Sequence, residues 1–100
     1  MDKPWKRFER RIAAVLDDAE RVPVTGRQRG DAPDIRHEWL SIEAKFRASL
    51  PGWIDNGLDQ AKASDRGGQL PVVIAGDRGR KVGDCWVVVR LGDWLDFFGG

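Results

Sequence analysis

The stretch from Asp31 to Arg47, "DAPDIRHEWLSIEAKFR", holds two carboxylates and a lysine among apolar residues spaced for a β-hairpin. Side chains alternate between the two faces of a strand. Ile42, Ala44 and Phe46 therefore point one way, and Ser41, Glu43, Lys45 and Arg47 the other. Asp34 and Arg36 alternate with Ile35 on the preceding strand in the same manner. A reversal between Glu38 and Trp39 pairs His37 with Leu40, Arg36 with Ser41, Ile35 with Ile42 and Asp34 with Glu43. Glu38 and Trp39 are poor residues for a two-residue turn, where Asn-Gly types are preferred, so a shifted register or a bulge is an open alternative.

In that register the two carboxylates are direct cross-strand neighbours, with Cβ atoms roughly 5 Å apart, where like charges repel. Two readings follow. One is a surface ribbon whose outer face is polar and whose Lys45 offsets Glu43. The other is a divalent cation held between Asp34 and Glu43, which turns the repulsion into attraction. Hard oxygen ligands suit Mg²⁺, which takes one or two carboxylates and keeps positions for water and phosphate. Lys45 lies about 6.6 Å beyond Glu43 along the same face, within reach of whatever the metal binds. The alternation by itself favours the ribbon, whereas Pro33, Ile35, Ile42, Ala44 and Phe46, which tie the acidic pair to apolar neighbours, weigh against it.

Outward from this stretch, the pattern alternates between helical and extended periods. Trp5, Phe8, Ile12, Val15, Leu16 and Ala19 recur at helical spacing and predict an amphipathic first helix of about four turns, with Glu9 on the flank of its buried face. "RVPVTGRQRGDAP" (21–33) leaves room for a short strand at Val22 to Thr25 and a loop. After the turn "SLPGW", Ile54, Leu58 and Ala61 predict a second helix from Trp53 to Ser64, interrupted by Gly57. "QLPVVIAG" (69–76) and "CWVVVRL" (85–91) read as buried strands separated by the basic loop "GDRGRKVGD". Asp93 is placed as the N-cap of a short final helix that stops at Gly99 and Gly100. The order is helix, three strands, helix, two strands and a short helix. The expected class is α/β: one domain over residues 1–100, with a mixed sheet flanked by helices.

One hundred residues with five Trp and four Phe can bury one core. The single Cys85 excludes an internal disulfide and a thiolate metal cage, which fits a reducing compartment. No apolar run has the length of a membrane span, and "MDKPWKRFERR" lacks the apolar segment of a signal peptide. A soluble, cytoplasmic protein with no membrane partner is expected. Net charge is only +1, but basic residues cluster at 6–11, 27–29 and 77–81, and local patches attract phosphates on a near-neutral chain. Arg27, Arg29 and Arg36 lie near the acidic pair in sequence and are candidates to grip DNA phosphates. Asp31 reads as a turn residue, and His37, the one histidine, as structural or solvent-facing. Trp39 and Trp53 are candidates to stack on unpaired bases or to pack against a second subunit.

"PDI" at 33–35 followed by "IEAK" at 42–45 resembles the PD-(D/E)XK motif of the metal-dependent nuclease superfamily. The context is similar too: a first helix with an acidic residue (Glu9), the hairpin, then a helix and a further strand, over residues 5–90. The early "FERR", the loop "TGRQRGDAPDI" and the small size look most similar to Holliday-junction-resolvase-type and small phage-encoded endonucleases. Gln60 in "LDQAKA" resembles a glutamine on the second helix of several members. The short C-terminal region and modest basic excess depart from the resolvase pattern.

The resemblance implies a restriction-endonuclease-like fold and hydrolysis of DNA phosphodiester bonds, with branched or junction DNA as the expected substrate. It implies that Asp34 and Glu43, with the backbone carbonyl of Ala44, bind Mg²⁺, for which Mn²⁺ substitutes. Lys45 orients the attacking water, Glu9 supports the site, and Gln60 contributes from the second helix. A homodimer is expected, because a 100-residue domain has limited surface for a duplex and symmetry supplies a second cut. The alternatives are a phage or restriction-type nuclease with another substrate, a non-cleaving nucleic-acid-binding module, and a structural protein whose charged hairpin is a surface ribbon.

Overall fold

A computed structural model describes residues 3–16, 20–21 and 34–98 of the chain. It is a small mixed α/β protein with three helices and two small antiparallel sheets among those residues. The chain divides into two compact units, Met1–Ala48 and Ser49–Gly100.

In the first unit, helix α1 spans Pro4–Val15, with Pro4 in the first turn, where its missing N–H has no intrahelical partner to lose. The Lys3 carbonyl accepts from the N–H groups of Lys6 and Arg7, and Leu16 ends the helix in an extended conformation. The buried face is centred differently from the expectation. Glu9 is 3% exposed, whereas Val15 is 50% exposed. At about 100° per residue, Glu9 falls about 20° from Leu16 and 40° from Trp5 and shares their face, while Val15 lies at its margin.

Strands β1 (Glu20–Arg21), β2 (Ile35–Arg36) and β3 (Ser41–Ile42) form an antiparallel sheet in that order, and α1 packs on β1. The expected strand at 22–25 lies outside the described residues, as does Ala19. The hairpin register is the one read from the alternation: Ile35 opposes Ile42, and Arg36 opposes Ser41. Ile35 is fully buried. Phe46 stays half-exposed and tilts against Phe8 of α1 with ring centroids 5.1 Å apart.

The second unit starts with helix α2 (Gly52–Ala63), within a residue of the predicted bounds. Leu58 is its buried anchor at 2% exposure. Gly57 has a packing reason: a Cβ there would lie 2.8 Å from Val73 Cγ2, so the missing side chain lets α2 close on the sheet. Strands β4 (Val73–Ala75) and β5 (Trp86–Val88) pair antiparallel, with Val73 opposite Val88, Ile74 opposite Val87 and Ala75 opposite Trp86. They are not the buried strands expected, since Ile74, Trp86 and Val87 are each well over half exposed. A two-stranded ribbon can be covered on one face by one helix, which leaves Ile74 and Val87 on the other, while Trp86 lies on the covered face beyond the helix's reach.

A 3₁₀ turn (Val82–Asp84) precedes β5, and helix α3 spans Leu91–Phe98. It begins three residues earlier than a cap at Asp93 implies. Asp93 lies in its first turn instead of capping it, and the stop at 99–100 lies outside the described residues. Arg90 ties the start of α3 to α2, donating to Asp59 at 2.9 Å and Asp55 at 3.2 Å, one helical turn apart. Where one mixed sheet was expected, the described strands make two antiparallel sheets. Each pairing joins strands that are close in sequence, and such links favour antiparallel partners, whereas parallel ones need long crossovers.

Candidate functional site

The candidate residues Glu9, Asp34, Glu43, Ala44 and Lys45 all belong to the first unit. Four described residues of that unit are buried: Leu16, Ile35, Glu9 and Asp34. Half of them are carboxylates. Removing an ionised carboxyl from water costs several kcal/mol unless hydrogen bonds or opposite charge compensate it, so such groups are rarely spent on packing alone.

Asp34 shows how its burial is supported. Its backbone N–H donates to the Ile42 carbonyl at 3.0 Å, and its carboxylate Oδ2 accepts from the Ala44 N–H at 2.8 Å. The second contact is a charge-assisted bond of ideal length. It also changes the expected geometry. The regular ladder stops at Ile35–Ile42, and Asp34 and Glu43 are not ladder partners. The Asp34 side chain occupies the place of a main-chain acceptor, which ends β3 at Ile42 and binds the "PD" end of the motif to the centre of "IEAK".

Glu43 and Lys45 are placed otherwise. Their side chains are 55% and 64% exposed, and Lys45 Nζ lies 3.5 Å from Glu43 Oε2. An exposed pair of this kind is worth only about 0–1 kcal/mol, so either partner separates from the other easily. Ala44, between them, is half-buried. Ala44, Lys45, Phe46 and Arg47 line a cleft of about 260 Å³ together with Trp5, Phe8 and Glu9 of α1. Glu9 and Lys45 thus line the same cleft, and Asp34 is joined to it through Ala44.

The remaining candidates fall elsewhere. Arg36 is exposed on β2. Arg27, Arg29 and Asp31 lie outside the described residues. Gln60 is exposed on α2, in the second unit. Among the described residues no three or more of His, Cys, Asp and Glu gather as a metal-holding group. The donors that the motif offers are carboxylate oxygens, which suit Mg²⁺, because that ion retains several waters and needs few protein ligands.

His37 has a role that the alternation does not reveal. Its Nδ1 accepts from the N–H of Leu40 at 3.3 Å and of Trp39 at 3.4 Å. The neutral ring thereby supplies the acceptor that makes a Glu-Trp turn workable. The hint was in the sequence: a histidine immediately before two residues ill suited to a tight turn.

No protein-family model, no curated protein and no solved structure matches the chain. No helix among the described residues is long and apolar enough to cross a membrane.

Proposed function

We propose that this chain is a small cytoplasmic endonuclease of the PD-(D/E)XK type, with a restriction-endonuclease-like fold, that hydrolyses DNA phosphodiester bonds with Mg²⁺. Branched or four-way-junction DNA is the favoured substrate, cut by a homodimer. The observation that carries this reading is the burial of Glu9 and Asp34 beside the motif, with the Asp34 carboxylate bonded to the Ala44 N–H. A surface ribbon accounts for the exposed Glu43–Lys45 pair. It gives no reason for two buried carboxylates in so small a unit.

Asp34 and Glu43 would hold the metal with the Ala44 carbonyl, and Glu9 would support them from α1. A bound Mg²⁺ acidifies a water and neutralises phosphoryl oxygens. Lys45 leaves Glu43, orients the attacking water and stabilises charge on the phosphate. Arg27, Arg29 and Arg36 grip neighbouring phosphates.

The test is incubation with labelled four-way junction, linear duplex and single-stranded DNA in Mg²⁺, Mn²⁺ or EDTA. Metal-dependent cleavage, fastest on the junction, is expected. Tight, salt-sensitive binding without cleavage of any substrate would favour a non-cleaving nucleic-acid-binding module.

A further inference from the structure

The second unit carries a cleft that the nuclease chemistry does not use. It holds about 200 Å³ and is lined by Trp53, Ala75, Gly76, Asp77, Arg80 and Trp86. Its construction follows from the packing of α2 on β4. Val73 meets Gly57, so Val73, Ala75 and their ladder partners Val88 and Trp86 occupy the sheet face toward α2. Trp53 lies one helical turn before Gly57. The small Ala75 leaves open the space that the two indoles flank.

Both rings remain in contact with water, Trp53 at 49% and Trp86 at 59% exposure. Indoles each bury some 150–250 Å² when packed, and two left open on one cleft are a binding surface in waiting. The guanidinium of Arg80 lies 5.2 Å from the centre of the Trp86 ring. It is fixed there: Nε and Nη2 donate to the two carboxylate oxygens of Asp77 at 2.9 and 3.2 Å, and Nη1 donates to the Asp84 carbonyl at 3.2 Å.

We propose that this cleft takes one unpaired base of a single nucleic-acid strand, stacked among Trp53, Trp86 and the Arg80 plane. Three features select that occupant. The volume is below the roughly 300–1,000 Å³ of sites that enclose drug-sized ligands, and suits one ring system. Indole and guanidinium planes are the surfaces on which unpaired bases stack, without regard to sequence. Exposed Arg78 and Lys81 flank Arg80 in the same loop and offer charge for the phosphates on either side of the base. An alkylammonium ligand fits poorly, because Trp86 already carries a cation and Asp77 is committed to it by two hydrogen bonds. The inference goes beyond cleavage and does not rest on it.

The experiment titrates the whole chain in EDTA with a ten-residue thymidine oligonucleotide, an abasic strand of the same length, and thymidine monophosphate, following tryptophan fluorescence. The oligonucleotide is expected to quench, and Trp53→Ala or Trp86→Ala to weaken its binding roughly fivefold or more. Ala75→Leu, which fills the floor and keeps both indoles, is expected to do the same. The abasic strand should bind more weakly by a similar factor, a comparison that needs no variant to fold. Equal binding of normal and abasic strands overturns the proposal, as does binding of the mononucleotide as tight as that of the oligonucleotide. Loss of cleavage with base-dependent quenching intact counts against the nuclease alone, and the reverse result counts against the stacking site alone.

Discussion

Asp34 has two tasks that different substitutions separate. Its carboxylate accepts the Ala44 N–H from a buried position, and an Asn oxygen in the same place can accept that bond. Asp34→Ala leaves the amide unsatisfied and should destabilise the fold by about 1–3 kcal/mol, with Asp34→Asn costing less. Urea unfolding checks this, and equal losses would mean that charge, not the hydrogen bond, holds the group. Glu43→Gln removes only half of an exposed pair and should change stability by less than about 1 kcal/mol. The contrast revises a simple expectation of relieved repulsion between Asp34 and Glu43, because one of the two is built into the fold. The alternation in "PDI" and "IEAK" made the identities and faces of these residues legible. It could not reveal that a side chain replaces a main-chain acceptor, since hydrogen bonds across a ladder's end depend on where the ladder stops.

Helix α2 and its ribbon turn on Gly57. Gly57→Ala gains up to about 1 kcal/mol in helix propensity, but its Cβ meets Val73 Cγ2 at 2.8 Å. A β-branched neighbour cannot turn aside cheaply, and overpacking of this kind costs about 1–3 kcal/mol. A net loss of stability is expected in thermal melts, restored when Val73→Ala is added. A gain from Gly57→Ala alone would show that the contact is loose. The turn after α2 makes a pH-dependent prediction. Asp65 Oδ1 accepts from the N–H groups of Gly67 (2.8 Å) and Gln69 (3.0 Å). These bonds, Gly67 first, hold its carboxyl below the ordinary value. The unfolded chain takes up the proton at higher pH, so the turn's contribution is present above the ordinary carboxylate range and lost as pH falls through the depressed value. Amide exchange at Gly67 and Gln69 should accelerate over that interval, while Asp65→Ala should exchange fast at every pH. Helical periods announced α1 and α2 within a few residues, yet Glu9 was placed on a flank because apolar residues define the period and a buried acid does not count toward it. The β-branched runs at 73–75 and 86–88 announced strands, but nothing in them says that one face stays open.

Under the proposed function, a chain of net charge +1 would hold DNA through local patches, so few phosphates should be neutralised. The logarithm of duplex affinity should fall against the logarithm of salt concentration with a shallow slope, and Arg36→Ala should reduce it by about 0.9. Fluorescence anisotropy across a salt series measures both, and an unchanged slope would remove Arg36 from the interface. The order of the other helices and strands was legible, since each segment carries its own period, but the first strand was expected at 22–25, outside the described residues, and β1 falls at Glu20–Arg21. The pairing of strands into two antiparallel sheets was not legible, because periodicity fixes which way a residue faces and not which strand it meets. The proposed nuclease is tested most directly by single-turnover cleavage of a four-way junction in Mg²⁺ with folded wild-type, Asp34→Asn and Lys45→Ala proteins. Cleavage should be abolished by EDTA and slowed roughly 100-fold or more by either substitution. Cleavage that persists in EDTA, or that both variants perform at the wild-type rate, would contradict it.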